Sequence, residues 1–355
     1  MVKRGGFFFV IAALIMALII WGNPIPRITR ALLPAPPAPL PASTLTQSAA
    51  LNLNVEDKRL MAHVNALSEP AASLEQKAAA RQYITEQLTQ YGLTPVQQPY
   101  SQGSESGVNI VASIAGSDPT AGTILLGAHY DTVPESPGAD DNGSSVATLL
   151  EAARIFSEQI SLSETETYQA SPRGLTLVFF DQEERQASGG GLLGSTAFAA
   201  EPTNLTGVKG AVILDMVGYA CRTPGCQSYP AQLPLSNVPD TGEFLAVLGL
   251  QNHTDLMGAF TLSAQTTWPM VITLPIPAPM LRLFPDLLRS DHAPFWDKDI
   301  PAVFVNDTAN FRNPNYHTPQ DTADTLDVSF FRGSAQHVVN AIAALLFQTT
   351  PTING

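Results

Sequence analysis

Three apolar runs of strand length in this chain each end in side chains that can bind metal or accept a proton. They are Leu125–Ala128 before His129, Gly174–Phe180 before Asp181–Glu184, and Val208–Leu214 before Asp215. Sequences with helical periodicity alternate with these runs. That order predicts an α/β fold, a three-layer α/β/α sandwich with a central mixed, mostly parallel sheet. Because ligands of open α/β sheets bind beyond the carboxyl ends of the strands, we expect the polar ends to converge in one crevice.

The first polar end contains a histidine and an aspartate two residues apart, His129 and Asp131. On a strand such residues point to the same side, so His129 can bind a metal ion while Asp131 orients its imidazole. The H-x-D pattern is short. Taken alone, it is explained equally well by a histidine at a strand end beside a solvated aspartate.

A glycine- and aspartate-rich segment, Pro137–Ser145, comes next and directly precedes the helical pattern of Val146–Phe156. It brings Asp141 to a loop at the start of a helix, a short distance after His129, and we predict that Asp141 is a second metal ligand. The structural alternative is a turn with a helix N-cap, which uses the same residue types.

Two glutamates, Glu183 and Glu184, follow the second apolar run. Adjacent side chains that leave a strand point to different sides, so one can bind metal while the other faces substrate as a general base. The alternative is a cluster of surface charges. With Asp215 and a later histidine the predicted metal ligands number five, and nitrogen and carboxylate ligands of this kind suit zinc. They are His129, Asp141, Glu184, Asp215 and His317.

Six short motifs occur in a fixed order: His129-Tyr130-Asp131, Gly138–Gly143, Glu183-Glu184, Asp215–Gly218, Ser290-Asp291-His292 and Tyr316-His317-Thr318. Together they resemble the metallopeptidase family of the bacterial two-zinc leucine aminopeptidases and glutaminyl cyclases, over about residues 51 to 348. A related aminoacylase and carboxypeptidase family has the same ligand order but inserts a dimerisation lid before the last histidine. The stretch between Asp215 and His317 is too short for that lid, so the lidless family fits better.

The resemblance implies two zinc ions per chain. Asp141 would bridge them, with His129 and Asp215 completing one zinc site and Glu184 and His317 completing the other. The implied activity is that of a two-zinc aminopeptidase, which removes the N-terminal residue from peptide substrates by hydrolysis.

The resemblance also implies roles for residues that do not bind metal. Glu183 would be the general base that takes a proton from a metal-bridging water, and Asp131 would support His129 from behind. The family has a cis peptide bond between two neighbouring aspartates, here Asp140 and Asp141. Its closest alternative activity is that of a single-zinc glutaminyl cyclase, and a non-catalytic binding domain on the same fold is a third possibility.

One expected group is missing from the motifs. Some family members have a tyrosine as oxyanion donor three residues before the Ser-Asp-His motif, where this chain has Leu287. The donor is therefore unassigned, and Tyr130 and Tyr316 are the tyrosines next to predicted ligands. We expect Asp291 and His292 to line or brace the site without binding metal.

The N-terminal segment predicts targeting. Residues 1–22 are a signal anchor or signal peptide, because two basic residues precede the apolar run Phe7–Trp21. Residues 23–50 form a Pro/Ala-rich linker, and residues 51–350 form the catalytic domain. No clean cleavage site follows the apolar run. We therefore expect a membrane-anchored protein with an exported catalytic domain, periplasmic or extracellular, with secretion after cleavage as the alternative.

The remaining composition limits the partners. Only 18 basic residues and a net charge of −13 argue against a nucleic acid partner, and we expect a monomer that acts on peptides. Cys221 and Cys226 are the only cysteines, and export would favour a disulfide between them. Apolar residues between Pro230 and Asp291 can wall a substrate pocket, although residues of this kind more often belong to the core.

Overall fold

The structure is a computed structural model that describes residues 35, 37–39, 52–163, 170–186, 188–230 and 238–348. The predicted targeting segment, residues 1–22, and most of the predicted linker, residues 23–50, lie outside the described residues. Within the described part, all strands belong to one sheet, and helices cover both of its faces.

The prediction of a membrane-anchored protein needs correction. A helix that crosses a bilayer needs about 20 predominantly apolar residues. Among the described residues, no helix is long and apolar enough to cross a membrane. The segment that led to the prediction, residues 1–22, is not among them. The predicted localisation is therefore wrong for the described part of the chain, and it is withdrawn.

The described strands form an eight-stranded sheet in the order β1-β2-β4-β3-β5-β8-β6-β7. Their bounds are β1 Val96–Gln102, β2 Glu105–Ile114, β3 Thr123–His129, β4 Gly174–Phe180, β5 Val208–Leu214, β6 Phe244–Leu250, β7 Met270–Ile276 and β8 Ala302–Asn306. β3 pairs in parallel with both β4 and β5, β5 with β8, and β6 with β7, whereas the other pairs are antiparallel. The sheet is therefore mixed with a parallel centre, as predicted.

The helices form the two outer layers. Their bounds are α1 Asp57–Leu67, α2 Leu74–Gln90, α3 Ser145–Ser163, α4 Leu193–Ala200, α5 Pro202–Leu205, α6 Thr254–Ser263, α7 Ala293–Asp297 and α8 Val328–Phe347. Short 3-10 helices at Ala278–Arg282, Pro285–Leu288, Ala309–Phe311 and Ala323–Thr325 shape the loops. Ser73 and Gln76 form a capping box at the start of α2, each side chain accepting a hydrogen bond from the other's backbone amide.

Alternating side chains of the central strands enter two separate cores. In β3, Ile124 and Leu126 pack into the larger core, which also contains residues of α1, α3, α6 and α8. Leu125, between them, packs into the smaller core with Phe198 of α4 and Phe295 of α7. This period of two is what a strand buried on both faces requires. Burial on both faces fixes the register of β3, β4 and β5, and with it the edge at which their carboxyl ends meet.

Candidate active site

The five predicted ligands lie together at the carboxyl ends of the central strands. His129 is the last residue of β3, Asp215 directly follows β5, and Glu184 lies just beyond β4. Asp141 belongs to a π-helical turn before α3, and His317 belongs to the loop between β8 and α8. The structure thus brings these side chains into one crevice, while their role as metal ligands stays a prediction.

Asp141 lies between the two histidines. Its Oδ1 is 3.4 Å from Nε2 of His129, and its Oδ2 is 3.1 Å from Nε2 of His317. Nε2 of His129 is also 3.6 Å from Asp215 Oδ1, and Nε2 of His317 is 3.0 Å from Glu184 Oε1. Each histidine therefore faces one shared carboxylate and one of its own.

The donor atoms fit zinc. Two groups have potential ligand atoms within 4.8 Å of one another: His129, Glu183 and Asp215 in one, and Asp141, Glu184 and His317 in the other. Nε2 of His129 is buried, and no hydrogen-bond partner is found for it among the described residues. Histidine nitrogens and carboxylate oxygens are the donors that zinc sites of hydrolases use. The residues present therefore suit a zinc site.

The charge around the histidines favours a cation. Burial alone would lower the pKa of His129, but the carboxylates of Glu183, Asp141 and Asp215 outweigh it and raise that pKa well above 6.5. Burial also opposes charge on His317, yet two hydrogen-bonded carboxylates raise its pKa to about 10. The same carboxylates would stabilise a bound metal cation.

Asp131 braces the site differently from the prediction. Nδ1 of His129 donates to the main-chain carbonyl of Asp131 at 3.0 Å, whereas the Asp131 carboxylate is 3.7 Å from Nδ1. That carboxylate instead accepts hydrogen bonds from the backbone amides of Glu183 and Glu184, at 3.0 and 3.3 Å. The carbonyl holds the proton on Nδ1 and leaves Nε2 free. Asp131 therefore ties the end of β3 to the two glutamates.

Asp321, which belongs to none of the sequence motifs, holds the turn that carries Asp141. Both oxygens of the Asp321 carboxylate accept backbone amides, one from Asp140 and one from Asp141, each at 3.0 Å. The predicted cis peptide between Asp140 and Asp141 is wrong by one residue, because the cis bond joins Asp141 to Asn142. The Asn142 side chain is fixed there by the backbone of Leu214 and Met216.

Glu183 faces the same crevice from the end of β4. Burial, then the charges of Asp215, Glu184 and Asp291, raise the pKa of its carboxyl well above the ordinary value, against the opposing effect of His129. Its side chain lines the pocket at the crevice. A carboxylate with a raised pKa, open to a pocket, is suited to accept a proton.

A pocket of about 560 Å³ opens onto the crevice. Asp141, Glu183, Glu184, Asp215 and His317 form one side of it. The opposite side is apolar and consists of strand residues: Phe244, Ala246, Leu248, Ile272, Leu274 and Phe304. Five of these six residues belong to the segment between Pro230 and Asp291 that the sequence indicated. Other apolar residues of the segment lie elsewhere, since Phe260 is fully buried in the core and neither Trp268 nor Met270 lines this pocket. The sequence does not show which face of β6 and β7 turns toward the site.

The tyrosine candidates for an oxyanion donor differ in position. Tyr130 is 5% exposed, and its hydroxyl donates to the Val108 carbonyl. Tyr316 lines the pocket, and its ring stacks on the His317 imidazole with 3.7 Å between centroids. The side chain of Leu287, at the position of the family's tyrosine, packs into a small apolar cluster and has no hydrogen-bonding group. Only Tyr316 of the two tyrosines therefore faces the pocket.

The Ser-Asp-His motif lies beside the site, where we expected it. His292 is buried, its Nε2 donates to the Leu287 carbonyl at 2.9 Å, and burial lowers its pKa to about 4. Asp291 is also buried, and burial raises its pKa to about 7.

The pair Cys221 and Cys226 forms the predicted disulfide, with 6.2 Å between their α-carbons, in the loop after β5.

Comparison with known proteins identifies the family. A family model described as peptidase family M28 matches residues 109–241 and 278–344. The chain belongs to peptidase family M28. M28 membership confirms the resemblance that the six motifs indicated, and with it the prediction of a zinc-dependent hydrolase.

Two relatives show how widely the M28 similarity extends. The uncharacterized protein YfbL of Escherichia coli (strain K12) is 33% identical over 290 residues, which cover 79% of this chain and 82% of that protein. Leucine aminopeptidase 1 of Grosmannia clavigera (strain kw1407 / UAMH 11150) is 29% identical over 245 residues, 65% of this chain and 50% of that protein. The chain thus aligns with only half the length of that fungal relative.

Solved structures share the fold. The LapA aminopeptidase of Legionella pneumophila superposes with a TM-score of 0.64 and 21% identity, over 90% of this chain and 80% of that one. BSAP, a zinc aminopeptidase from Bacillus subtilis, gives 0.61 and 15%, over 82% and 95%. The glutaminyl cyclase of Porphyromonas gingivalis gives 0.57 and 19%, over 82% and 98%. At these identities the likeness shows the fold alone.

Proposed function

We propose that this M28 hydrolase is a two-zinc aminopeptidase. The observation that carries the proposal is the position of Asp141, whose two carboxylate oxygens each face a different histidine, 3.4 and 3.1 Å away. A carboxylate held in this way can bridge two cations. Metal pairs about 3.5–4 Å apart are used by aminopeptidases for attack on an amide bond.

The ligands divide between the two proposed metals. Asp141 would contribute to both sites, His129 and Asp215 would hold one zinc ion, and Glu184 and His317 would hold the other. Zinc, when bound, would polarise the scissile carbonyl and lower the pKa of the attacking water. The chain itself keeps Nε2 of His129 available, because its Nδ1 proton is held by the Asp131 carbonyl.

Glu183 acts as the general base. Its backbone amide is fixed by Asp131, and its carboxylate, with a raised pKa, faces the pocket beside the ligands. Glu183 takes a proton from the attacking water and returns it to the leaving amine. A carboxyl whose pKa is raised above its ordinary value is suited to both steps.

Tyr316 donates a hydrogen bond to the oxyanion that develops on the scissile carbonyl. Its hydroxyl accepts a hydrogen bond from Nη2 of Arg289 at 3.1 Å, so its own proton is free to donate into the pocket. Its ring is fixed against His317 by stacking. Preorganised donors of this kind stabilise transition states strongly because they need no reorganisation.

The apolar wall accommodates the side chain of the N-terminal residue of the substrate. Phe244, Leu248 and Ile272 are among the residues that form it. A pocket of this kind favours large apolar side chains, since their burial contributes about 1.5–3 kcal/mol each. The proposed substrates are therefore peptides that begin with an apolar residue.

A single-zinc glutaminyl cyclase is the second candidate. The group formed by Asp141, Glu184 and His317 can hold one ion by itself, and a solved cyclase has the same fold. Such an enzyme would cyclise N-terminal glutamine with release of ammonia and would leave peptide bonds intact.

A substrate panel separates the candidates. The purified chain, loaded with zinc, is given leucine p-nitroanilide, an N-acetylated leucyl peptide and a glutaminyl peptide. We expect hydrolysis of the first and neither hydrolysis of the second nor cyclisation of the third. Cyclisation without hydrolysis would overturn the proposal in favour of the cyclase, and no reaction with any substrate would favour a binding domain.

A further inference from the structure

An arginine stands on the rim of this acidic site. Arg289 lines the same pocket as Glu183 and His317, and 42% of its side chain is exposed. The only other arginine in the described pocket wall is Arg185, which directly follows Glu184 in the chain. Neither belongs to the proposed set of catalytic residues.

Hydrogen bonds hold the Arg289 guanidinium in one orientation. Nη1 donates to Asn310 Oδ1 at 3.1 Å, and Nη2 donates to the Tyr316 hydroxyl at 3.1 Å. The carboxylate of Asp286 is 3.8 Å from Nη1, too far for a hydrogen bond. A guanidinium has five N–H donors. Arg289 therefore keeps donors free for a ligand in the pocket.

The charge of Arg289 indicates which part of a substrate it can contact. The free α-amino group of an aminopeptidase substrate is cationic, so an arginine repels it and the carboxylates of the site attract it. Among charged groups Arg289 attracts anions, and an anionic group of the substrate lies on the other side of the scissile bond from the α-amino group. Planar guanidinium groups bind carboxylates with paired hydrogen bonds.

The contacts of Arg289 link it to the proposed metal site. Arg289 contacts Tyr316, and the Tyr316 ring is in contact with His317, a proposed ligand. Successive α-carbons are about 3.8 Å apart, so the residue after the scissile bond is next to the reacting carbonyl. A carboxylate on that residue is the nearest anionic group of the substrate to this part of the pocket, whether it is the terminal carboxylate of a dipeptide or an acidic side chain.

We propose that Arg289, positioned by Asn310 and Tyr316, binds a carboxylate of the residue that follows the scissile bond. The inference rests on the proposed aminopeptidase function. It makes the enzyme selective for dipeptides, or for peptides that are acidic at the second position, over neutral peptides.

Three substrates test the assignment: Leu-Gly, Leu-Gly amide and Leu-Asp amide. The wild-type enzyme should cleave at least one of the two carboxylate-bearing substrates with a kcat/KM about 10-fold above that of Leu-Gly amide. Preference for Leu-Gly identifies the terminal carboxylate, and preference for Leu-Asp amide identifies the side chain. The ratio should fall as salt is raised, because a partly exposed pair is screened.

Variants assign the preference to one side chain. Arg289→Gln should bring the ratio of kcat/KM for the carboxylate-bearing substrate to kcat/KM for the neutral substrate close to one, whatever its effect on the neutral substrate. Arg289→Lys keeps the charge and should retain part of this ratio. Arg282→Gln is the matched control, because Arg282 is exposed, lies in the same segment and does not line the pocket; it should keep the wild-type ratio.

Two results would overturn the inference. The first is an equal kcat/KM for all three substrates in the wild type. The second is a preference for carboxylate-bearing substrates that survives Arg289→Gln. A preference that is lost only in Arg185→Gln counts as this second result. Failure to cleave any of the three substrates would instead contradict the aminopeptidase function, so the two failures can be told apart.

Discussion

Asp141 and Glu183 share one crevice but need different surroundings. Asp141 faces a histidine with each oxygen, an arrangement that favours its ionised form and lowers the pKa of its carboxyl although burial opposes this. Glu183 lies among other carboxylates, and burial raises its pKa. Environments that separate the pKa values of neighbouring carboxyls are how one site obtains both a ligand and a base.

Removing the base should affect turnover more than binding. In Glu183→Gln we expect kcat to fall by about 10²- to 10⁴-fold, since the amide cannot accept the proton of the attacking water. KM and bound zinc should change little, as measured by steady-state kinetics and metal analysis. Hydrolysis at the wild-type rate by this variant would contradict the assigned role.

Asp321 should be needed to position Asp141. It is fully buried and accepts the amides of Asp140 and Asp141 with its two oxygens. Asp321→Asn places an amide donor against one of those N–H groups, so we expect zinc affinity to fall by about 10- to 100-fold, as for other residues that orient ligands. A competition assay with a chelator measures it.

The control for Asp321 is a second aspartate nearby. Asp324→Asn changes the same residue type, but Asp324 is exposed and accepts from Thr322 only. It should keep wild-type zinc affinity. Equal affinities in all three proteins would show that Asp321 has no part in positioning the ligand.

At the scale of elements, the sequence predicted the strands that end in the proposed ligands but did not specify which residues form the apolar wall of the pocket. β3, β4 and β5 are buried on both faces and appear as continuous apolar runs, so their ends were predictable. The wall of β6 and β7 depends on which faces of those strands lack a covering helix. Asp321 could not be predicted either, because a hydrogen bond to a turn 180 residues earlier leaves no local pattern in the sequence.

Helix α8 depends on a charged N-cap. Asp327 accepts the Phe330 amide at 2.9 Å and pairs with Arg222. Burial would raise its pKa, but these hydrogen bonds lower it from 3.8 to about 2. A lowered pKa in the folded state means that the stabilisation is present above pH about 4 and is lost as the pH falls toward 2.

Asp327→Ala should therefore destabilise the fold in a pH-dependent way. We expect the free energy of unfolding to fall by about 1 kcal/mol at pH 7, as for other lost N-caps. The difference from wild type should shrink as the pH is lowered from about 4 to about 2. Urea unfolding followed by circular dichroism measures both. Asp327→Asn, which keeps a capping acceptor, should lose less at pH 7, and a difference that does not vary with pH would contradict the role of the charge.

At the scale of the whole molecule, the sequence predicted the layered fold and the family, because six motifs in order specify both. Composition only argued against a nucleic acid partner. The N-terminal apolar run led to a prediction of localisation that is wrong for the part of the chain that the structure describes. The details that depend on distant contacts, such as the Asp131 carboxylate on the Glu183 and Glu184 amides, required the structure.

Zinc stoichiometry against activity tests the two-metal site most directly. The metal-free chain is titrated with zinc while bound metal and hydrolysis of leucine p-nitroanilide are both followed. We expect hydrolysis to reach its maximum at about two bound zinc ions per chain, because Asp141 would bind both metals. Maximal hydrolysis already at one bound zinc ion per chain would contradict the two-metal site.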